Sequence, residues 1–109
     1  HGAADGLNPG GTGAGGILTM LEIGALADAH SAMISPHSWN STTVAYMVMI
    51  HLCAVMENAP YAELYYDYLE LGAEFGDCDS QITDGFASLP QSPGLGIEIN
   101  EAALRTLCS

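Results

Sequence analysis

Two side chains carry the types and spacing that could do proton chemistry, His37 and Glu63. Imidazole titrates nearest neutrality, so a histidine can take a proton and return it at physiological pH. A carboxyl group on the same rim as an imidazole can share in general acid/base work. On spacing alone both residues also have plain readings. His37, in the loop Pro36-His37-Ser38-Trp39-Asn40, reads on spacing alone first as a loop histidine capping a helix, and Glu63 beside Tyr61, Leu64 and Tyr65 reads as a partly buried functional carboxylate or an edge residue. Trp39 is a wall or lid residue of the same loop, or simple packing.

Other candidates read as structural. His30 ends a helical run, where an imidazolium gains from the helix dipole, and His51 sits in an apolar run as a satisfied core histidine. Gly11-Thr12-Gly13-Ala14-Gly15-Gly16 fits G-x-G-x-x-G, but residues 33–36, about 20 positions on, carry no carboxylate for a ribose. Asp67, Glu70, Glu74, Asp77 and Asp79 lack the spacing of a calcium loop and read as a solvated acidic stretch. Cys53, Cys78 and Cys108 show no metal-ligand spacing, and their odd number favours free thiols in a reducing compartment. Cys53 reads as a buried small hydrophobe, and Asp77 and Asp79 argue against a reactive thiolate at Cys78.

The elements that must position His37 and Glu63 follow from periodicity and punctuation. Residues 6–8 form a weak strand stopped by Pro9, and a glycine-dense loop covers 10–16. Ile17, Met20, Leu21, Gly24 and Ala25 then recur at helical steps until about His30 or Ser31. Residues 32–35 read as a second strand stopped by Pro36, and Ser41 or Thr42 can cap a helix running to about Met56, apolar nearly all round. After the Asn58-Ala59-Pro60 turn, residues 61–64 read as a third strand. Residues 65–79 show no clear period and read as loop. Asp84-Gly85 is a turn, residues 86–89 a strand, residues 91–94 a turn, 95–99 alternate, and Asn100 caps a helix over 101–107. Alternating strands and helices predict βαβ units with a parallel sheet. His37 follows the second strand and Glu63 ends the third, so both fall on one rim.

Composition bounds the partners. The chain has 109 residues, 13 acidic groups and a single Lys or Arg, Arg105, for a net charge of −12. Phosphate binding needs clustered cations, so nucleic acid and anionic membrane surfaces are disfavoured. The longest uncharged apolar stretch, residues 43–56, falls short of the roughly 20 needed to span a bilayer. The start, His1-Gly2-Ala3-Ala4-Asp5, has neither the basic nor the apolar region of a signal peptide, giving a cytoplasmic expectation. Charged residues are 13% of the chain and 49% is hydrophobic, against about 25% charged in an average soluble domain. Such a chain is expected to be a piece of something larger, with faces covered by other protein.

An ordered set of motifs then resembles a known family. Gly15-Gly16-Ile17 opens a helix ending Ala27-Asp28-Ala29-His30; next come Ser35-Pro36-His37-Ser38-Trp39, Asn58-Ala59-Pro60-Tyr61-Ala62-Glu63 and Pro93-Gly94-Leu95-Gly96-Ile97-Glu98. From about Asp5 to Leu107 the order and spacing resemble the C-terminal portion of the mandelate racemase / muconate lactonizing enzyme branch of the enolase superfamily. The resemblance implies an α/β fold: residues 1–80 as the sixth to eighth strands of a (β/α)8-type, TIM-like barrel, and residues 81–109 as a tail docking on an α+β capping domain. A whole barrel needs roughly 250 residues, so the remaining barrel and capping domain would be partners of this piece, within a homo-oligomeric parent.

What the resemblance implies about activity is a Mg²⁺-dependent sugar-acid dehydratase, with Mg²⁺ ligands and a Lys-x-Lys base upstream. It makes His37 a general acid/base, Glu63 a protonated hydrogen-bond donor to the substrate carboxylate, and Asn8 and Trp39 pocket residues. The piece alone is expected to be inactive. Racemisation and lactone cycloisomerisation belong to the same family, and a decayed, non-catalytic interaction module docking through residues 43–56 is the other reading. One departure bears on the choice. Where the family usually has an aspartate holding the histidine, this chain has Gly10, and Asp5 is about 16 Å away at strand rise. His37 therefore works undirected, serves only as a hydrogen-bond donor, or belongs to a degenerate site.

Overall fold

Met20, Gly24 and Ala27 recur at four and three residues, and the first helix buries that stripe. It lies between two short parallel strands in the computed structural model, which describes residues 2–38, 42–65 and 72–107. In chain order the elements are β1 (Gly6–Leu7), α1 (Ile17–Ala29), β2 (Met33–Ile34), α2 (Thr43–Val55), β3 (Gly76–Cys78), β4 (Ile82–Thr83), β5 (Phe86–Ala87), β6 (Ile97–Ile99) and α3 (Glu101–Leu107). The βαβ expectation holds for the first unit: β1 pairs parallel to β2, with Gly6 opposite Met33 and Leu7 opposite Ile34.

Helix α2 is apolar nearly all round because its own chain covers it twice. Leu52 and Met56 join Met20, Ala27, Ala32, Ile34 and Ala59 in a core beneath α1 and β2. Tyr46, Met47, Met49 and Ile50 form a second core, against Leu64, Cys78, Leu95 and Ile97. Thr42 takes the extended N-cap conformation without a side-chain cap bond. Among the described residues no helix is long and apolar enough to cross a membrane.

Four short strands, their turns and α3 follow α2. β4 and β5 form an antiparallel hairpin across Asp84 and Gly85, both at positive φ (51° and 82°), the geometry of the tight two-residue hairpin turn. Asn100 caps α3, its Oδ1 accepting the Ala103 N–H at 3.1 Å. β3 pairs antiparallel to β6, with Gly76 opposite Ile99 and Cys78 opposite Ile97. This pairing joins residues on either side of the boundary expected near residue 81.

Two sequence expectations are corrected. Residues 61–64 form no strand. The Ile34 N–H reaches the Asn58 carbonyl at 2.8 Å and the Glu63 N–H reaches that of Pro36 at 3.4 Å. Those two bonds span five residues on one side and two on the other, and Pro36 and Pro60 have no N–H to regularise the ladder. Within the stretch read as loop, residues 76–78 are strand. Its signal is weak because it is short and polar, and its partner β6 supplies the pattern. Gly76 permits the approach: a Cβ there would lie 3.0 Å from Ile97 Cγ2.

Asn58 ties the first unit together. Its Nδ2 donates to the carbonyls of Gly24 and Ala32, each at 3.1 Å, fixing the middle of α1 and the entry to β2. Replacing Asn58 by Ala is expected to destabilise the protein by about 2 kcal/mol, since two carbonyls lose a shared donor; urea unfolding measures this, and an unchanged midpoint would show that the bridge contributes nothing. Cys53, half-buried against the first core, has its thiol pushed up by burial. A raised pKa leaves less thiolate at pH 8, so Cys53 is expected to alkylate several-fold more slowly in the folded protein than in urea, with the gap closing as pH rises. Peptide mapping after iodoacetamide treatment reads that difference.

Candidate active site

Pairing between the first two strands continues past both prolines. Pro9 and Pro36 cannot donate, but the His37 N–H reaches the Pro9 carbonyl at 2.9 Å, and Gly10 and His37 form a parallel bridge. Pro36 is fully buried and Ser38 is 5% exposed, so His37 is anchored on both sides at the strand ends. Residue 63 arrives beside it through the Pro36 carbonyl contact.

There the two predicted residues meet. His37 Nε2 lies 3.6 Å from Glu63 Oε2, with side chains 31% and 39% exposed. The same oxygen accepts the Ser38 N–H at 2.9 Å. The imidazole and carboxyl group are therefore held by backbone yet open to a ligand, which a proton-transfer pair requires. Sequence reading missed Ser38. A backbone N–H carries no residue-type signature, so no motif could have announced it.

The remaining candidates divide. Asn8 is exposed, and its Nδ2 donates to the Ser35 carbonyl, bracing the same rim. Trp39 lies outside the described residues. Gly10 has room for a side chain, since a Cβ there would meet nothing nearer than Gly13 N at 4.0 Å. The glycine loop has a backbone explanation instead of a phosphate one: Gly15 and Gly16 sit at φ 110° and 88°, a region open to glycine. His51 is satisfied as expected, its Nδ1 2.7 Å from the Met47 carbonyl oxygen.

Among the described residues no group of three His, Cys, Asp or Glu could hold a metal ion, so these residues do not fit a magnesium site by themselves. A cleft of about 860 Å³ opens between the C-terminal half of α2, residues 59–64 and the β4–β5 hairpin, and neither His37 nor Glu63 lines it.

Comparison with known proteins places this geometry in a family. The family model described as enolase C-terminal domain-like matches residues 1–103. The L-rhamnonate dehydratase of Saccharopolyspora erythraea is 34% identical over 98 residues, covering 84% of this chain and 24% of the dehydratase. A crystal structure of an enolase from environmental genome shotgun sequencing of the Sargasso Sea superposes with a TM-score of 0.89 at 38% identity, over 96% of this chain and 28% of that one. A crystal structure of mandelate racemase/muconate lactonizing enzyme from Jannaschia sp. CCS1 gives 0.81 at 29% identity, over 94% of this chain and 26% of that one. The chain thus spans about a quarter of the length of these relatives. With the βαβ unit, the His37–Glu63 rim and a match over residues 1–103, the chain belongs to the enolase C-terminal domain-like family of the enolase superfamily.

Proposed function

We propose that this chain is the acid/base rim of a Mg²⁺-dependent sugar-acid dehydratase, built from the sixth to eighth strands of its barrel. The observation carrying the proposal is the His37–Glu63 pair at 3.6 Å, fixed by Ser38 and open to a ligand. The similarity to an L-rhamnonate dehydratase supports a carbohydrate acid as substrate.

Each residue has a definite task in this reading. A base outside this chain removes the proton α to the substrate carboxylate. Magnesium, if bound by residues of the longer protein, would supply positive charge against that carboxylate. His37 as imidazolium gives its proton to the β-hydroxyl, which leaves as water while the electron pair from the α carbon forms the double bond; the resulting enol rearranges to the keto acid. Glu63, protonated on Oε1, donates to a carboxylate oxygen while Oε2 keeps its Ser38 bond. Asn8 and Trp39 belong to the pocket wall.

The similarity to a mandelate racemase/muconate lactonizing enzyme keeps racemisation or cycloisomerisation as the second reading. In either, His37 still moves a proton. The interaction-module reading is less favoured because α2, its docking face, is largely covered within the chain.

The test uses the full-length protein with L-rhamnonate and related aldonates. Keto-acid formation is expected with Mg²⁺ and not with EDTA, and His37→Asn is expected to lower kcat by about 10²- to 10⁴-fold, the usual share of a general acid. Absence of Mg²⁺-dependent α-proton exchange in D₂O across those acids would overturn the enzymatic reading.

A further inference from the structure

We propose that the cleft between the C-terminal half of α2, residues 59–64 and the β4–β5 hairpin is a docking groove for an apolar segment, flanked by Lys or Arg, of the longer polypeptide to which this chain belongs. The inference rests on the part of the proposed function that makes this chain a portion of a longer protein, and on nothing about the reaction.

The walls of the groove are apolar and uncovered. Val55, Tyr61, Ile82, Phe86 and Leu89 all line it, and each remains 38–79% exposed. Scattered singly such residues would need no partner, but gathered around one concavity they mark a surface that another element covers. The hairpin supports this independently. All four residues of β4 and β5 are exposed, and a two-stranded hairpin with no packed face is marginal in water. Its base is closed nonetheless: the Ser88 N–H donates to the Gln81 carbonyl and the Gln81 N–H to Ser88 Oγ, each at 2.8 Å. One wall is thus held in place beside a space of about 860 Å³.

Charge selects the occupant. Glu57 and Asp84 line the groove, and no Lys or Arg does. A second copy of this chain would bring another net charge of −12 to the same surface. Its single Lys or Arg, Arg105, already pairs with its own Glu101 at 3.1 Å. Like charges brought together oppose association, so a segment carrying its own cations gains where a second copy loses. The stem of a lysine or arginine can lie along the apolar wall while its head reaches Glu57 or Asp84. This chain covers 24% of one relative and 28% of another, so most of a protein of that kind lies outside these residues and can supply the segment.

The test introduces Phe86→p-benzoylphenylalanine, a photo-reactive aromatic, into the full-length protein, purified as an equal mixture of ¹⁴N- and ¹⁵N-labelled material. Irradiation is expected to give a product of monomer mass, with position 86 joined to a peptide from outside these 109 residues. That pair is expected to be of one isotope, with Lys or Arg within about four residues of the joined position, one turn of helix. A mixed-isotope pair at dimer mass identifies a second copy and overturns the proposal. Joining confined to this chain's own residues, or none, shows an open groove and overturns it equally, as does a captured segment without a nearby cation. Should the bulkier side chain at position 86 prevent folding, Tyr61→p-benzoylphenylalanine gives the same readout from another wall. Neither substrate nor metal enters the measurement, so a protein that gives the in-chain product but dehydrates no sugar acid keeps this inference and loses the reading above, and a dehydratase with an open groove does the reverse.

Discussion

The hydrogen bond from the His37 amide to the Pro9 carbonyl, 2.9 Å long, is the constraint on which the site depends. Prolines end both strands, and a chain with two such breaks would ordinarily splay there. This bond, with the Gly10–His37 bridge, carries the parallel pairing one step further and delivers an imidazole to the strand ends at fixed height. Burial of Pro36 and Ser38 then prevents the loop from rotating. Glu63 is placed relative to that loop, by its own N–H on the Pro36 carbonyl and by its carboxylate on the Ser38 amide. Each of these contacts involves backbone, which any non-proline residue supplies.

Behind the rim, α2 supplies the stability that a half-open site cannot. Its two cores, one toward α1 and β2 and one toward β3 and β6, explain why its sequence shows no polar face. The high apolar content is not wholly absorbed, however. Leu18 and Leu26 on α1, Val55 on α2, Tyr61 after it and Phe86 on the hairpin remain 65–79% exposed. Isolated exposed apolar residues need no explanation, but five large ones among the described residues fit a fold whose outer faces continue into further protein.

Much of this was legible in the residues. Helices α1 and α2 and strands β1 and β2 were readable because helical periodicity, Gly-rich entry and proline stops agree on the same boundaries. His37 and Glu63 do share the expected rim, but Glu63 reaches it on a segment that forms no strand, through its N–H on the Pro36 carbonyl. The third strand was misread because residues 61–64 look apolar and extended, while the obstacle, two missing proline N–H groups, shows only when the partner is known. β3 was missed for the converse reason: its three residues carry no pattern and take their conformation from β6. Ser38 was invisible because its contribution is an amide that every non-proline residue possesses.

The proposal at stake is that this rim works opposite a metal and a base held by another part of the same protein. The most direct measurement is to read the coding sequence immediately upstream of His1. The account predicts an open frame encoding a Lys-x-Lys pair and three Asp or Glu residues at successive strand ends. An upstream frame lacking those carboxylates would leave His37 and Glu63 without a metal to work against, and would contradict it.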